Sequence, residues 1–431
     1  MPLPDVIEIV PPVRPAPVLV TIPGSKSITN RALILAALAD GKTRLRGALW
    51  SEDTEIMVEA LRTLGFELHV DPDPAEAGNC TIEVTGLGGH IPNAGSPDHP
   101  LEIYVGNAGT AARFLMAMLC LGNGVYRVHG TPRMHERPQA PLFDSLGQLG
   151  YRISVTNGGL PATLHGEGGS LKGSCTVSIE ESSQFASALL LSSRVGGWHV
   201  TVTGHDAEES AYVAMTSKLM EVFPPHGGEY QIEPDCSSAS YFLAAGALLQ
   251  ETRLAVAAWP ESDWQIDGRF IEYLRRFKDG EGAAYPAVSR LTDLGDAIMT
   301  AIVLAPLLPR PSTFVDLGRL RVQESERVQA LRQELTKCGA RVVESGDTLE
   351  VFPSELHGAE IETYDDHRVA MCFATLGLKV PGMRIKDPGC VRKTFPNFYA
   401  KLAEPAPTGL GAIVLDARTR RRLSGDDLLA G

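Results

Sequence analysis

One phrase that returns along the chain limits the folds open to it. A helical stretch ends Leu-x-x-(Leu or Cys)-Gly and is followed at once by an alternating apolar and polar strand. It occurs as Leu61-Arg62-Thr63-Leu64-Gly65 before residues 66–70, and as Leu146-Gly147-Gln148-Leu149-Gly150 before 151–155. It occurs again as Leu335-Thr336-Lys337-Cys338-Gly339 before 340–343. The glycine suits a left-handed helix stop, and period-two alternation suits a strand with one buried face. Helices ending at 219–223 and 274–277 lack this continuation, and a sixth ends near Leu402. The chain therefore reads as five or six copies of one helix-strand unit. At 431 residues it is long enough for two or three domains.

Each helix follows a polar turn: 24–29, 106–110, 182–184, 235–240, 293–296, 321–326 and 365–368. Free N–H groups and the positive end of the dipole make such helix starts favourable anion sites. For any single turn, Ser and Asp serve equally well as simple N-caps. The wider charge balance decides how such sites can work. A formal net charge of −13 disfavours nucleic acid and anionic membranes, so an anionic small molecule needs a local positive pocket.

Seven scattered cysteines without C-x-x-C spacing point to a reduced, cytoplasmic protein and no metal site. The first residues do not read as a secretory signal, and the apolar run 32–39 is far short of the roughly 20 residues of a membrane span. Residues 404–431 begin Pro-rich and carry Arg418-Thr419-Arg420-Arg421-Arg422, and the expectation for them is a solvated tail.

Gly24-Ser25-Lys26-Ser27 lacks the frame of a nucleotide phosphate loop. It precedes a strong helix, 30–39, so Lys26 and the helix start could hold one anion while Arg31 presents a planar fork to a second. Gly109, in Gly106-Asn107-Ala108-Gly109-Thr110, lets an anion approach the backbone ahead of Arg113. Arg137, in His135-Glu136-Arg137-Pro138, suits a salt bridge or a ligand equally.

These segments resemble the 5-enolpyruvylshikimate-3-phosphate synthase family. So do Pro132-Arg133-Met134, Ser182-Ser183-Gln184-Phe185, Asp235-Cys236-Ser237-Ser238-Ala239-Ser240-Tyr241 and Asp296-Ala297-Ile298-Met299-Thr300. Glu324-Ser325-Glu326-Arg327, Asp366-His367-Arg368 and Lys393-Thr394-Phe395-Pro396 complete a set that runs in order from about residue 20 to 400. The resemblance implies an α/β fold, a two-lobed inside-out α/β barrel with three helix-strand repeats per lobe and the active site between the lobes. The expected boundaries are 1–24 plus 236–403 for one lobe, 25–235 for the other, and 404–431 for the tail.

The implied reaction moves the enolpyruvyl group of phosphoenolpyruvate to the 5-hydroxyl of shikimate 3-phosphate, releasing phosphate in the shikimate pathway. By resemblance, Lys26, Asn107, Gly109, Arg137, Gln184, Arg327, Arg368 and Lys393 bind phosphoenolpyruvate. Ser27, Arg31, Ser182, Ser183, Gln184, Tyr212, Asp296, Arg319 and Gln323 bind shikimate 3-phosphate. Lys26, Asp296 and Glu324 divide the proton transfers, with His367 tuning the site. No metal or organic cofactor is implied, no nucleic-acid or membrane partner is expected, and a monomer is the expected state. Glyphosate is expected to compete with phosphoenolpyruvate; Gly109 favours sensitivity, whereas Phe114 replaces a proline common in bacterial members.

Departures from the family pattern leave the acceptor open. Gln323 stands where Lys is usual, Glu209 where Ser is usual (Ser210 is one place too close), and Arg319 where Asn is usual. Losing a Lys or gaining a Glu beside a buried dianion would each weaken binding by roughly 1–3 kcal/mol. The helices ending at 219–223 and 274–277 also lack one to two strands each, so their sheets are expected to be small. Two other readings stand beside the synthase: a paralogue acting on a different cyclic alcohol, and a noncatalytic ligand-binding relative. The sister enzyme acting on UDP-N-acetylglucosamine fits less well, since residues 130–138 hold no cysteine.

Overall fold

In a computed structural model of the chain, Gly65, Gly150 and Gly339 have φ of +93°, +93° and +91°. The three recurring glycines thus stop their helices in the left-handed region, where a side chain would be strained. The structure describes residues 3–13, 16–204, 210–249, 253–278 and 284–430. Glu209 lies outside the described residues. Contacts divide the chain into Gly24–Glu233 and a discontinuous unit of Met1–Pro23 with Pro234–Gly431.

Strands β1 (Val6–Val10) and β2 (Val18–Val20) open the discontinuous unit. The Gly24–Glu233 unit then repeats one order: strand, helix, strand, helix, hairpin. Its first copy runs α1 (Lys26–Leu38), β3 (Asp40–Leu49), α2 (Glu52–Thr63), β4 (Leu68–Pro72) and β5 (Asn79–Leu87). Its second runs β6 (Leu101–Tyr104), α3 (Gly109–Leu119), β7 (Asn123–His129), the short α4 (Pro132–Glu136), α5 (Ala140–Gln148), β8 (Arg152–Val155) and β9 (Ala162–Glu167). The third has β10 (Gly173–Ser178), α6 (Ser183–Gly196), β11 (Trp198–Thr203) and α7 (Ala211–Val222), but no hairpin follows among the described residues. The next strand, β12 (Gly228–Gln231), instead pairs parallel with β3 and supplies the missing leading strand of the first copy.

The discontinuous unit follows the same order. One copy is β2, α8 (Cys236–Leu248), β13 (Leu254–Val256) and α9 (Phe270–Tyr273), which tightens into a 3-10 turn over Leu274–Lys278. The next is β14 (Val288–Ser289), α10 (Ile298–Leu304), β15 (Ser312–Val315), α11 (Arg327–Lys337), β16 (Val342–Ser345) and β17 (Thr348–Val351). The last is β18 (Glu360–Ile361), α12 (His367–Leu376), β19 (Met383–Lys386), α13 (Phe398–Ala403) and β20 (Ile413–Asp416), with β1 returning to complete its sheet.

Among the described residues, each unit holds two four-stranded sheets and one two-stranded sheet. The two-stranded pairs, β10 with β11 and β2 with β13, belong to the copies that end at α7 and α9. These are the shortened copies whose sheets were expected to be small. Burial explains the division of labour between elements. Every residue of α3, α10 and α12 is buried, whereas β5 and β9 alternate buried with half-buried or exposed positions. Helices buried on all faces lie inside, so the sheets carry the solvent face.

Two expectations are corrected. Helix α1 begins at Lys26, four residues before the expected 30–39 span, which puts Lys26 in its first turn. The segment from residue 404 is no solvated tail. β20 pairs antiparallel with β1, and Leu410, Ala412, Val414, Leu423 and Leu428 are buried in the core of the discontinuous unit. Its basic run is neutralised locally: Arg418 lies 3.1 Å from Asp5, Arg421 lies 2.6 Å from Asp427, and Arg420 pairs with Glu8. Apolar side chains bury at about 1.5–3 kcal/mol each, against a total stability of about 5–15 kcal/mol. Ending the chain after Ala403 is therefore expected to lower the melting temperature by more than about 10 °C or to abolish soluble expression; a solvated tail would leave the melting temperature unchanged.

Candidate active site

In the Gly24–Glu233 unit the expected residues gather at the starts of α1, α3 and α6. Lys26 Nζ lies 3.1 Å from Asp53 Oδ2, in the first turn of α2. Asp53 is buried while the ammonium remains partly exposed, so the pair anchors Lys26 without hiding it. Arg137 Nη1 donates to the Asn107 carbonyl at 3.1 Å and to Asn107 Oδ1 at 3.4 Å. Arg113 Nη1 donates to Gln184 Oε1 at 2.7 Å, and Gln184 Nε2 donates to Thr110 Oγ1 at 3.3 Å. Gly109 joins the two groups. A Cβ there would meet Arg137 Nη2 at 2.5 Å and Arg113 Nη1 at 2.8 Å. Asn107, Gly109, Arg137 and Gln184 thus form one cluster, with Arg113 as its link.

Arg31 serves a different purpose. It is 2% exposed. Its Nε donates to Thr216 Oγ1 at 2.7 Å, Nη1 to the Ser27 carbonyl at 2.8 Å, and Nη2 to Ser187 Oγ at 3.1 Å and the Tyr212 carbonyl at 3.4 Å. The guanidinium also lies 5.2 Å from the centre of the Phe114 ring. Ser27, Arg31 and Tyr212 are therefore joined through backbone carbonyls, and Arg31 ties α1 to α3, α6 and α7. Burial holds its pKa down to about 10. To take a substrate carboxylate, Arg31 must exchange one of these bonds. Ser182 caps α6, accepting from the Gln184 N–H at 3.2 Å, and Ser183 is buried in the first turn.

The discontinuous unit carries a second, more strongly paired cluster. Asp366 caps α12, accepting from the Arg368 N–H at 3.0 Å. It also accepts from Arg327 Nε at 2.7 Å, Arg327 Nη2 at 3.1 Å and Ser325 Oγ at 2.9 Å. Arg327, 1% exposed, further pairs with Glu324 Oε2 at 2.8 Å, and its Nη1 donates to Gln323 Oε1. Asp296 Oδ2 lies 3.1 Å from Arg368 Nη2, and Oδ1 lies 2.7 Å from Arg290 Nη2. Burial alone would raise the Asp296 pKa, but Arg368, Arg290 and Arg327 outweigh it and hold the carboxyl well below the usual carboxylate range.

The structure therefore brings Asp296, Glu324, Gln323, Arg327, Arg368 and His367 into one network. His367 is buried, with Nδ1 3.9 Å from Asp366 Oδ1. Arg319 sits in the 3-10 turn leading to Gln323, and Lys393 ends a 3-10 turn over Pro388–Lys393, where it is buried.

Five similarities to known proteins bear on this arrangement. A profile of the EPSP synthase (3-phosphoshikimate 1-carboxyvinyltransferase) family matches residues 15–402. The chain belongs to the EPSP synthase family. A protein of Opitutus terrae named 3-phosphoshikimate 1-carboxyvinyltransferase is 38% identical over 94% of this chain and 98% of its own. One of the same name from Pseudomonas syringae pv. tomato is 37% identical over 92% of this chain and 97% of its own. EPSP synthase from Acinetobacter baumannii shares the fold at a TM-score of 0.70, with 23% identity over 95% of this chain and 99% of that one. The enolpyruvyl transferase NikO from Streptomyces tendae shares it at 0.69, with 17% identity over 98% of this chain and all of that one.

Three residues of this family member were missed by sequence reasoning. Asp53 lies in the first turn of α2, where an acid is ordinary, and Arg290 lies in an irregular turn without pattern. Asp267 is the third: it accepts from Ser237 Oγ at 2.5 Å and from the Ala297 N–H at 2.8 Å. Burial, reinforced by the nearby Asp296 charge, raises its pKa to about 6. No motif signals such a carboxyl, because its effect arises from residues distant in sequence.

A raised folded-state pKa stabilises the fold below the unfolded value near 3.8 and loses that contribution as pH rises through about 6. Asp267→Asn keeps both accepted bonds without the charge. Denaturant unfolding of the parent is expected to lose about 1 kcal/mol between pH 5 and 7.5 relative to Asp267→Asn; equal pH dependence would contradict the assignment. Gly109→Ala forces Arg137 and Arg113 apart. It is expected to raise the KM for phosphoenolpyruvate about tenfold or more in steady-state assays, with little change in melting temperature.

Proposed function

We propose that this chain is a 3-phosphoshikimate 1-carboxyvinyltransferase, with its two units acting as the family's two lobes. The carrying observation is Asp296, a carboxylate kept ionised between Arg368 and Arg290 in the same network as Arg327 and Glu324. Phosphoenolpyruvate carries about three negative charges, which calls for several fixed cations. Lys26, Arg137, Arg327, Arg368 and Lys393 fill that role, with Asn107, Gly109 and Gln184 shaping their surroundings. Ser27, Arg31, Ser182, Ser183, Tyr212, Arg319 and Gln323 are assigned to shikimate 3-phosphate.

The reaction is an addition followed by an elimination. The 5-hydroxyl oxygen bonds to carbon 2 of phosphoenolpyruvate, the hydroxyl proton leaves, and the methylene carbon gains a proton. The resulting tetrahedral carbon then loses phosphate while the new methyl group gives up a proton and the double bond re-forms. Lys26, Asp296 and Glu324 divide these proton movements, and His367 tunes the network. A carboxylate as acidic as free-state Asp296 is a weak base. Anionic substrate drawing on Arg368 weakens the clamp and raises its basicity at the moment the hydroxyl arrives. Fixed cations stabilise the departing phosphate, so no cofactor enters this account. The reading also takes the protein to act as a cytoplasmic monomer.

Gln323 favours a second reading, an acceptor lacking the 3-phosphate, because it brings no cation to a position where the family has one. Both are tested by measuring phosphate release from phosphoenolpyruvate with shikimate 3-phosphate and, separately, with shikimate. Activity with the first supports the synthase; activity with shikimate alone supports the second. Asp296→Ala and Glu324→Ala are each expected to lower kcat at least 100-fold with KM changed less than about tenfold. Unchanged turnover in either variant would remove that residue from the mechanism.

A further inference from the structure

Arg290 opens a single π-helical turn over Arg290–Leu294, whose start is pinned on both sides. Ser289 Oγ accepts from the Leu291 N–H at 3.0 Å and the Thr292 N–H at 3.2 Å, and donates to Asp316 Oδ2 at 2.5 Å. The Ser289 N–H donates to Asp293 Oδ2 at 2.7 Å. The arginine carried by this rigid turn is 5% exposed, and its Nη2 lies 2.7 Å from Asp296 Oδ1. Its Nε is buried and has no acceptor among the described residues. An always-charged guanidinium in such a place must be held by the carboxylate it faces.

A second observation concerns position 323. The family resemblance leads one to expect Lys there, yet the chain has Gln323, whose Oε1 accepts from Arg327 Nη1. The cation expected at 323 itself is therefore absent, although Arg319 stands four residues earlier where Asn is usual, and Arg290 brings a further cation to the carboxylate network from the turn before α10.

We propose that Arg290 is a positioning residue for the transfer reaction: it fixes the Asp296 carboxylate and supplies the positive charge that Gln323 does not. This inference rests on the catalytic assignment of Asp296. The charged groups that act on Asp296 are Arg368 from α12, Arg327 from α11, Arg290 itself, and Asp267 from the 3-10 turn over Ile266–Arg269. Removing Arg290 leaves Asp296 with less positive charge opposing Asp267, so protonation of Asp296 becomes easier. A lysine at 323 in the parent would crowd Arg327 with a like charge. In a chain without Arg290, the same lysine would restore the missing cation.

The test compares the parent with Arg290→Met, Arg290→Lys, Gln323→Lys, Arg290→Met/Gln323→Lys and Asp296→Asn. Each is assayed for phosphate release from phosphoenolpyruvate and shikimate 3-phosphate between pH 5 and 9, with melting temperatures recorded. Arg290→Met is expected to lower kcat about tenfold or more at pH 6 and less at pH 8, moving the acid limb upward by about one pH unit. Arg290→Lys keeps the charge, and is expected to keep the acid limb within about 0.3 pH unit of the parent even where stability falls. Gln323→Lys is expected to recover at least about a third of the lost kcat in the Arg290→Met background at saturating substrates. An unmoved acid limb in a folded Arg290→Met protein overturns the proposal, as does a double variant no better than Arg290→Met. Parent-like turnover in Asp296→Asn would instead overturn the catalytic assignment beneath it.

Discussion

The carboxylate of Asp366 organises the strongest part of the site. It is wholly buried, caps α12 and accepts two bonds from Arg327, one helix away. A buried ion pair of this kind adds little net stability, but breaking one side of it is costly, about 3–5 kcal/mol. Its value here lies in geometry. The segment leading into α11 carries Gln323, Glu324 and Arg327, and the first turn of α12 carries His367 and Arg368. Locking these helix starts together sets where Arg368 meets Asp296 and where Glu324 meets Arg327.

The two clusters differ in a way that suits a phosphate-releasing transfer. In the discontinuous unit the arginines are already paired with carboxylates, which tolerates their burial and stores acidity in Asp296. In the Gly24–Glu233 unit, Arg113 and Arg137 lean on neutral acceptors: Gln184, the Pro138 carbonyl, and the carbonyl and amide of Asn107. Arg137 in particular is held by the carbonyl and amide oxygens of Asn107.

Much of this was legible in the sequence because the repeated unit leaves periodic marks. Gly65, Gly150 and Gly339 announced helix stops, and the absence of such a glycine and strand pair after Phe223 and Phe277 announced smaller sheets, which have two strands each among the described residues. Residues 365–368 read as a polar turn before a helix, and Asp366 caps that helix, which begins at His367. What stayed hidden depends on contacts distant in sequence. Arg420 and Arg421 looked like a charged tail because their partners, Glu8 and Asp427, show no pattern with them. Asp267 and Arg290 meet Asp296 only once the irregular turn at 290–297 is folded, and no helical or strand period predicts a π turn. Arg31 read as a ligand fork, and its bonds to Ser27, Ser187, Tyr212 and Thr216, which lie as far as 185 residues away, left no mark in the sequence.

The ionisation state of Asp296 tests the electrostatic core of the site most directly. Carboxyl-carbon NMR of aspartate-labelled, ligand-free protein, with Asp296 assigned through Asp296→Asn, reports its titration. At pH 3.8, the ordinary value for an aspartate, Asp296 is expected to remain fully ionised. A midpoint at or above that pH would show that Arg290 and Arg368 do not hold the carboxylate, and would contradict the role given to both.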